Sequence, residues 1–198
     1  MVISDLLEFM VKLDIMTRRM QKSKKGSQCN NMNYHNITYP DMNNGDGLRV
    51  VLWLSGCSHH CYKCQNPQTW DENSGIAFDD NAKQELFREL EKDYISGITF
   101  SGGDPMYDNN IDELLNLVLE IKERFPNKTI WLYTGYYFSE CITNANRRKL
   151  LHQCDVLVDG VYIDSIRDIT LKWRGSKNQR VIDVQQSIYN GKIVLWCD

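Results

Sequence analysis

The sequence predicts an α/β protein, an open partial (β/α) barrel built mostly from parallel strands. Three observations predict it. Short apolar runs and amphipathic stretches alternate as strand, loop, helix, strand, four times over, which is the pattern of parallel βα units. Each of those strands ends in a polar turn containing glycine, and parallel βα folds take their ligands at the carboxyl ends of the strands. The chain has 198 residues, one domain's length, whereas a closed eight-unit barrel takes about 250.

In chain order, residues 1–31 read as an N-terminal extension, mobile and dispensable, ahead of a domain over 32–198. Ile3, Leu6, Leu7, Met10, Leu13 and Met16 or Met20 recur at helical spacing, and a basic polar stretch from Arg18 to Ser27 follows. Asp5, Glu8 and Asp14 argue against a transit peptide. Asn43-Asn44-Gly45-Asp46-Gly47 is a turn cluster feeding a strand from Leu48 to Leu54. The apolar residues of that strand are almost continuous, as in a strand covered on both faces. A polar loop from Trp70 to Phe78 leads to a helix capped by Asp79 or Asp80, reaching about Lys92 with Leu86, Phe87 and Leu90 inward.

Gly97–Phe100 is a short strand entering Ser101-Gly102-Gly103-Asp104-Pro105. A helix from about Asn110 to Phe125 follows, with Ile111, Leu114, Leu115, Val118, Ile121 and Phe125 on one face. Thr129–Tyr133 is the third strand, ended by Thr134-Gly135. A helix over about Asn144–Gln153 precedes Val156–Val158, ended by Asp159-Gly160. The tail carries Trp173–Arg180, a strand at Val181–Val184 and a last strand at Ile193–Trp196.

Composition narrows the function classes. A hydrophobic content of 42% and a charged content of 25% describe an ordinary buried core rather than a disordered chain. A net charge of −3 argues against a dedicated nucleic-acid binder. No apolar run is long enough to span a membrane. Seven cysteines, an odd number, with no secretory signal point to reduced thiols in a cytoplasm.

Three of those cysteines, Cys57, Cys61 and Cys64, fall on one loop directly after the first strand, spaced C-x3-C-x2-C. A structural zinc site wants four closed ligands, and a dithiol redox site wants two cysteines. A cubane iron–sulfur cluster is normally held by four thiolates, so three would leave one iron open for chemistry. A zinc knuckle completed by His59, His60 or a distant cysteine is the alternative on spacing alone. One βα unit later, Gly102-Gly103 closes a strand where a ligand can touch main chain with no Cβ in the way.

The C-x3-C-x2-C loop followed by Gly102-Gly103-Asp104-Pro105 resembles the radical SAM enzymes. That resemblance implies a [4Fe-4S] cluster on Cys57, Cys61 and Cys64, with S-adenosylmethionine (SAM) chelating the open iron. One electron would cleave the sulfonium to a 5′-deoxyadenosyl radical. It also implies that the Gly102-Gly103-Asp104 turn binds the methionyl amino group. The acid here is Asp104, where many members carry Glu. The family often has an aromatic just before the third cysteine; here that residue is Lys63, so adenine packing rests on the main chain of Lys63, Cys64 and Gln65, with Tyr62 nearby. Asp159 is a candidate for the ribose hydroxyls, an ordinary turn being the equal alternative.

The match is closer at Asn44–Arg49, Ser55-Gly56-Cys57, Asn66–Trp70, Trp131–Tyr136, Val158-Asp159-Gly160 and Trp173–Arg180. These segments are similar to the glycyl-radical activating proteins of anaerobic (class III) ribonucleotide reductase, from about Met32 to Val184. The resemblance implies hydrogen abstraction from one glycine of the reductase's large subunit, a reduced flavodoxin-type or similar electron donor, and a dimer within the complex.

Other residues are set aside. His59 and His60 read as solvent-facing, and Cys141, Cys154 and Cys197 share no ligand spacing and read as buried hydrophobes or free thiols. Arg174 and Arg180 suit SAM's carboxylate, the partner or local acids such as Asp183. The competing classes are an activase of another glycyl-radical enzyme such as pyruvate formate-lyase, a non-catalytic electron carrier, and a zinc-stabilised interaction module.

Overall fold

The computed structural model describes residues 32–197, so the reading of residues 1–31 lies outside the described residues. The elements are β1 (Asn33–Asp41), β2 (Leu48–Leu54), β3 (Ile76–Ala77), α1 (Asp80–Leu90), β4 (Ile95–Gly102), α2 (Asp108–Arg124), β5 (Thr129–Tyr133), α3 (Phe138–Thr143), α4 (Ala145–Leu151), β6 (Val156–Asp159), β7 (Arg180–Asp183) and α5 (Val184–Asn190). Short 3-10 turns lie at Pro67–Thr69 and Asp164–Ile166.

The strands form one sheet in the order β3-β1-β2-β4-β5-β6-β7. β2, β4, β5 and β6 run parallel, and these are the four strands expected from the βα pattern. Antiparallel strands flank them: β1 pairs with β2 and β3 on one side, and β7 pairs with β6 on the other. The result is a mixed α/β fold with an open sheet, parallel in its middle.

Local chemistry explains most boundaries. Asp79 starts α1 by accepting the Ala82 amide at 2.9 Å, and Asn144 starts α4 by accepting the Asn146 and Arg147 amides. The helix expected over Asn144–Gln153 is preceded by a second short one, α3. The strand expected to reach Val184 stops at Asp183, which caps α5 by accepting the Gln186 amide at 2.9 Å. The last predicted strand contributes a single bridge, Leu195 to Ile182.

Alternation along the strands separates two faces. Val50, Leu52, Leu54, Ile98, Phe100, Ile130, Leu132 and Leu157 pack with Leu86, Leu90, Leu114, Val118 and Ile121 of the helices in the main core. Each such buried aliphatic contributes about 1.5–3 kcal/mol. The opposite face carries Trp131, Val156, Val158 and Val181, with Tyr133, Trp173 and Cys197 against them. Trp173 and Trp196 stand edge-on to Trp131, and both indole N–H groups donate to Asp46. The C-terminal segment therefore covers this face where the strands begin. Among the described residues no helix is long and apolar enough to cross a membrane.

Arg49 ties the amino ends of the parallel strands together. It is fully buried and donates to Thr99 Oγ1 at 2.7 Å, Ile98 O at 2.6 Å, Thr129 O at 2.9 Å, Thr129 Oγ1 at 3.0 Å and Asp46 O at 3.1 Å. Its guanidinium also lies over the Trp131 ring, 5.2 Å from the centroid. Burial pulls its pKa down to about 10, which leaves it charged at neutral pH. Replacing it with alanine strands several buried acceptors, so Arg49→Ala is expected to lower unfolding free energy by about 3 kcal/mol or more. Arg49→Lys should recover little, because an ammonium lacks the planar fork that spans β4 and β5. Urea unfolding checks this, and an unchanged midpoint in Arg49→Lys would refute the fork's role.

Candidate metal and cofactor site

The carboxyl ends of the parallel strands open into a cleft of about 220 Å³. It lies on the sheet face opposite the helices, because the alternate residues Trp53, Ser101 and Tyr133 of β2, β4 and β5 line it. Of the residues singled out in the sequence, Cys57, Cys61, Cys64, Gln65, Gly102, Gly103 and Asp104 all line this one cleft.

The cysteine loop is wound tightly. Gly56 enters it at φ 94°, and His60 and Lys63 adopt φ 45° and 55°, a region non-glycine residues seldom occupy. Such residues persist where the surroundings hold them, and here the loop's two ends are sutured. Gly56 N donates to Thr69 O at 2.8 Å and Cys57 N to Trp70 O at 3.0 Å, while Cys64 N closes a turn on Cys61 O at 3.0 Å. The 3-10 turn at Pro67–Thr69 thus belongs to the loop's base.

The glycine turn is joined to the same base. Gly103 N donates to Leu54 O at 2.8 Å, and Asp104 N to Gly56 O at 2.7 Å. A Cβ on Gly102, which sits at φ 103°, would lie 2.6 Å from Leu54 N, and one on Gly103 would lie 2.5 Å from Gly56 O. The glycine pair is therefore required first by the protein's own packing. Asp104 is buried, and its carboxylate accepts from Met106 N at 2.8 Å, Thr134 Oγ1 at 3.0 Å and Gly135 N at 3.0 Å. His59 Nε2 lies 2.8 Å from the same carboxylate, without the alignment of a hydrogen bond.

Two sequence candidates sit elsewhere. Lys63 turns outward, its ammonium 2.9 Å from Asp164, which leaves only its main chain at the loop. Asp159 is fully buried; it accepts the Phe138 amide at 2.8 Å and forks with Arg180, through Nε at 2.9 Å and through Nη2. Its carboxylate starts α3 and ties β6 to β7, so Gly160 lines the cleft in its place. His59, read as solvent-facing, is largely enclosed, whereas His60 is exposed and lies 4.7 Å from the Trp70 ring.

Thr134 and Gly135, expected at the end of the third strand, line the far wall, and the sequence reading missed Tyr162, Gly175 and Gln179, which complete it. Gln179 Oε1 accepts the Gly175 and Ser176 amides while its Nε2 donates to Gly160 O, and Asn178 donates to Val161 O. The Trp173–Arg180 segment is thereby folded onto the stretch after β6. Arg174 donates to Gln179 O at 3.3 Å, and its Nε is buried without a partner. Strand parity carried a separate signal for the cleft residues on the sheet itself: once Trp53 is placed, Ser101 and Tyr133 follow from register.

The donor set fits a metal cluster better than a nucleophilic thiol. Burial pushes the Cys57 thiol up to about 11 and raises Cys61 as well, and no lysine or arginine lines the cleft to stabilise a thiolate. Bound metal supplies that positive charge and deprotonates its ligands. Among the described residues no three ligand side chains gather around a single ion; the thiolates of a four-iron cluster each bind a different iron. Cys141 and Cys154 are fully buried, and burial raises both thiols.

The 4Fe-4S single cluster domain family matches residues 43–182, a span that includes every residue lining the cleft. The chain therefore carries a domain of the 4Fe-4S single-cluster class. Curated relatives share most of their length with it. The anaerobic ribonucleoside-triphosphate reductase-activating protein of Enterobacteria phage T4 is 45% identical over 150 residues, 76% of this chain and 93% of that protein. The proteins of the same name from Haemophilus influenzae and Escherichia coli K12 are each 40% identical, over 96% and 97% of their lengths and 75% and 76% of this chain. The chain belongs to the family of anaerobic ribonucleoside-triphosphate reductase-activating proteins.

Because Gly103 packs on Gly56 O, Gly103→Val is expected to displace the base of the cysteine loop. Melting temperature and iron bound after anaerobic reconstitution should fall together. Full iron with only SAM affinity reduced would assign Gly103 to the ligand alone.

Proposed function

We propose that this chain is a radical SAM activase that generates a glycyl radical on the large subunit of anaerobic ribonucleoside-triphosphate reductase. The observation that carries the reading is one cleft in which, among the described residues, three thiols meet a glycine-rich turn. The relatives' shared name supports the reductase as partner. Cys57, Cys61 and Cys64 would hold a [4Fe-4S] cluster with one iron left for the amino and carboxylate groups of SAM. When bound, cluster and SAM together supply a 5′-deoxyadenosyl radical able to take hydrogen from a glycine.

The protein's own residues bind and enclose. The turn at Gly102 and Gly103 offers main-chain groups to the methionyl amine, and the main chain of Lys63, Cys64 and Gln65 offers a surface to adenine. Trp53, Trp70, Tyr133 and Tyr162 wall the cleft and exclude water from it. Burial raises the Tyr133 phenol, so it stays neutral and presents no charge. A glycine suits the chemistry, since its α-radical is delocalised by the flanking amides and no side chain blocks approach. The centrally parallel sheet is compatible with a partial barrel of the radical SAM type, and such an open barrel would leave room for a loop of another protein. A reduced flavodoxin-type donor, a dimer in the complex and a cytoplasmic setting complete the proposal.

Anaerobic reconstitution tests it. Cys57→Ala, Cys61→Ala and Cys64→Ala should each abolish the cluster and SAM cleavage, whereas Cys141→Ala and Cys154→Ala should keep both. With the reductase present, deoxyadenosine should appear with a glycine-centred doublet in electron paramagnetic resonance that collapses when the partner carries α-deuterated glycine. Deoxyadenosine without a protein radical would mean another substrate; a colourless zinc-loaded protein would end the reading.

Removing residues 1–31 should leave cluster and activation intact. Met32 is already buried in the core and its amide donates to Glu113 at 3.0 Å, where a new terminal ammonium meets a carboxylate. Loss of folding on truncation would overturn the domain division.

A further inference from the structure

We propose that His59 is a positioning residue for the cluster, and that Gly135 is glycine so that the His59 ring can occupy its seat. The inference rests on the cluster reading above. Main-chain bonds hold the ends of the cysteine loop; between Cys57 and Cys61 the side chains of Ser58 and His60 are exposed, and the ring of His59 is the one that is largely enclosed. Its side chain is 15% exposed, with Nε2 2.8 Å from Asp104 Oδ2. That oxygen already accepts from Thr134 and Gly135, so the ring packs where the cysteine loop meets the ends of β4 and β5.

The seat is built. The ring stands edge-on to Tyr136 at 4.5 Å, and the Tyr136 hydroxyl lies 3.2 Å from Ser58 Oγ on the same loop. Behind Tyr136 the Arg147 guanidinium lies 3.7 Å from the ring centroid, itself fixed to Met106 O and Asp108. On the other side a Cβ at Gly135 would lie 2.6 Å from His59 Nε2, and His59 atoms are its three nearest neighbours. Gly135 is not in the left-handed region, so its backbone would accept alanine. The obstacle is the imidazole. A ring wedged in this way sets where the span between Cys57 and Cys61 runs, and so where two of the three sulfurs sit.

A double-mutant cycle tests this through cluster retention rather than activity. The reconstituted protein is challenged with a ferrous chelator; iron loss, the spectrum of the reduced cluster and the melting temperature of the cluster-free chain are recorded. Partners that orient metal ligands typically contribute 10–100-fold to metal affinity, so His59→Ala should speed iron loss about tenfold or more and alter the reduced-cluster spectrum. Gly135→Ala alone should do the same by pushing the ring aside. The double variant should be no worse than His59→Ala, because the added methyl enters the vacated space. Additive losses, wild-type retention in His59→Ala, or a loss matched by a fall in the cluster-free melting temperature would each overturn the inference. A wild-type chain that binds no cluster would instead overturn the proposed function.

Discussion

The carboxylate of Asp104 is the constraint on which the site depends. The residue's main chain is hydrogen-bonded to Gly56 at the root of the cysteine loop, and its side chain holds Met106, Thr134 and Gly135. Three strand ends, those of β2, β4 and β5, are thereby fixed to one buried group. A buried carboxylate is expensive unless its lone pairs are filled, and here donors from three directions fill them. The arrangement gives the cleft its floor before any ligand arrives. An aspartate suffices here: the short side chain already reaches donors after its own strand and on the adjacent strand end.

The other end of the sheet is fixed by opposite means. Arg49 spreads a single cation over acceptors from β4, β5 and the turn before β2, and Trp131, Trp173 and Trp196 seal it from solvent. One face of the sheet is thus apolar against helices, while the other carries a basic, aromatic plug at the amino ends and a polar cleft at the carboxyl ends. The division follows from strand parity. Positions 49, 51 and 53 of β2 share a face, so the strand that buries Arg49 also presents Trp53 to the cleft.

The parallel strands and the three thiols were legible because their signals are local. Apolar runs mark β2, β4, β5 and β6, and the cysteine spacing marks the loop. What was not legible depended on distant partners. β1 reads as polar sequence, Asn33-Tyr34-His35-Asn36-Ile37-Thr38-Tyr39-Pro40-Asp41, and its pairing with β2 is broken by two register shifts, so no clean alternation survives. α3 begins where the Asp159 carboxylate meets the Phe138 amide across 21 residues. An Asp-Gly pair after a strand reads equally as a turn or a ribose ligand; the Phe138 amide and the Arg180 fork together decide that the carboxylate is engaged. His59 escaped for the same reason, since its enclosure is made by Asp104, Gly135 and Tyr136, none near it in sequence.

The Trp173–Arg180 segment shows how one stretch can serve both fold and site. Trp173 belongs to the plug, Arg180 to the buried fork with Asp159, and Gly175 and Gln179 to the cleft wall. Lys177 is exposed, and Ser176 is fully buried between Ile163 N and Asn178. A segment committed at both ends cannot move its middle freely, so its contribution to the cleft is geometric rather than a mobile lid. Gln179 illustrates the mechanism: its side-chain oxygen accepts from Gly175 and Ser176 and its nitrogen donates to Gly160, so it shapes the wall by holding main chain. On the C-terminal side the cleft is thereby bounded by Gly160, Tyr162, Gly175 and Gln179, opposite the cysteine loop that carries the thiols.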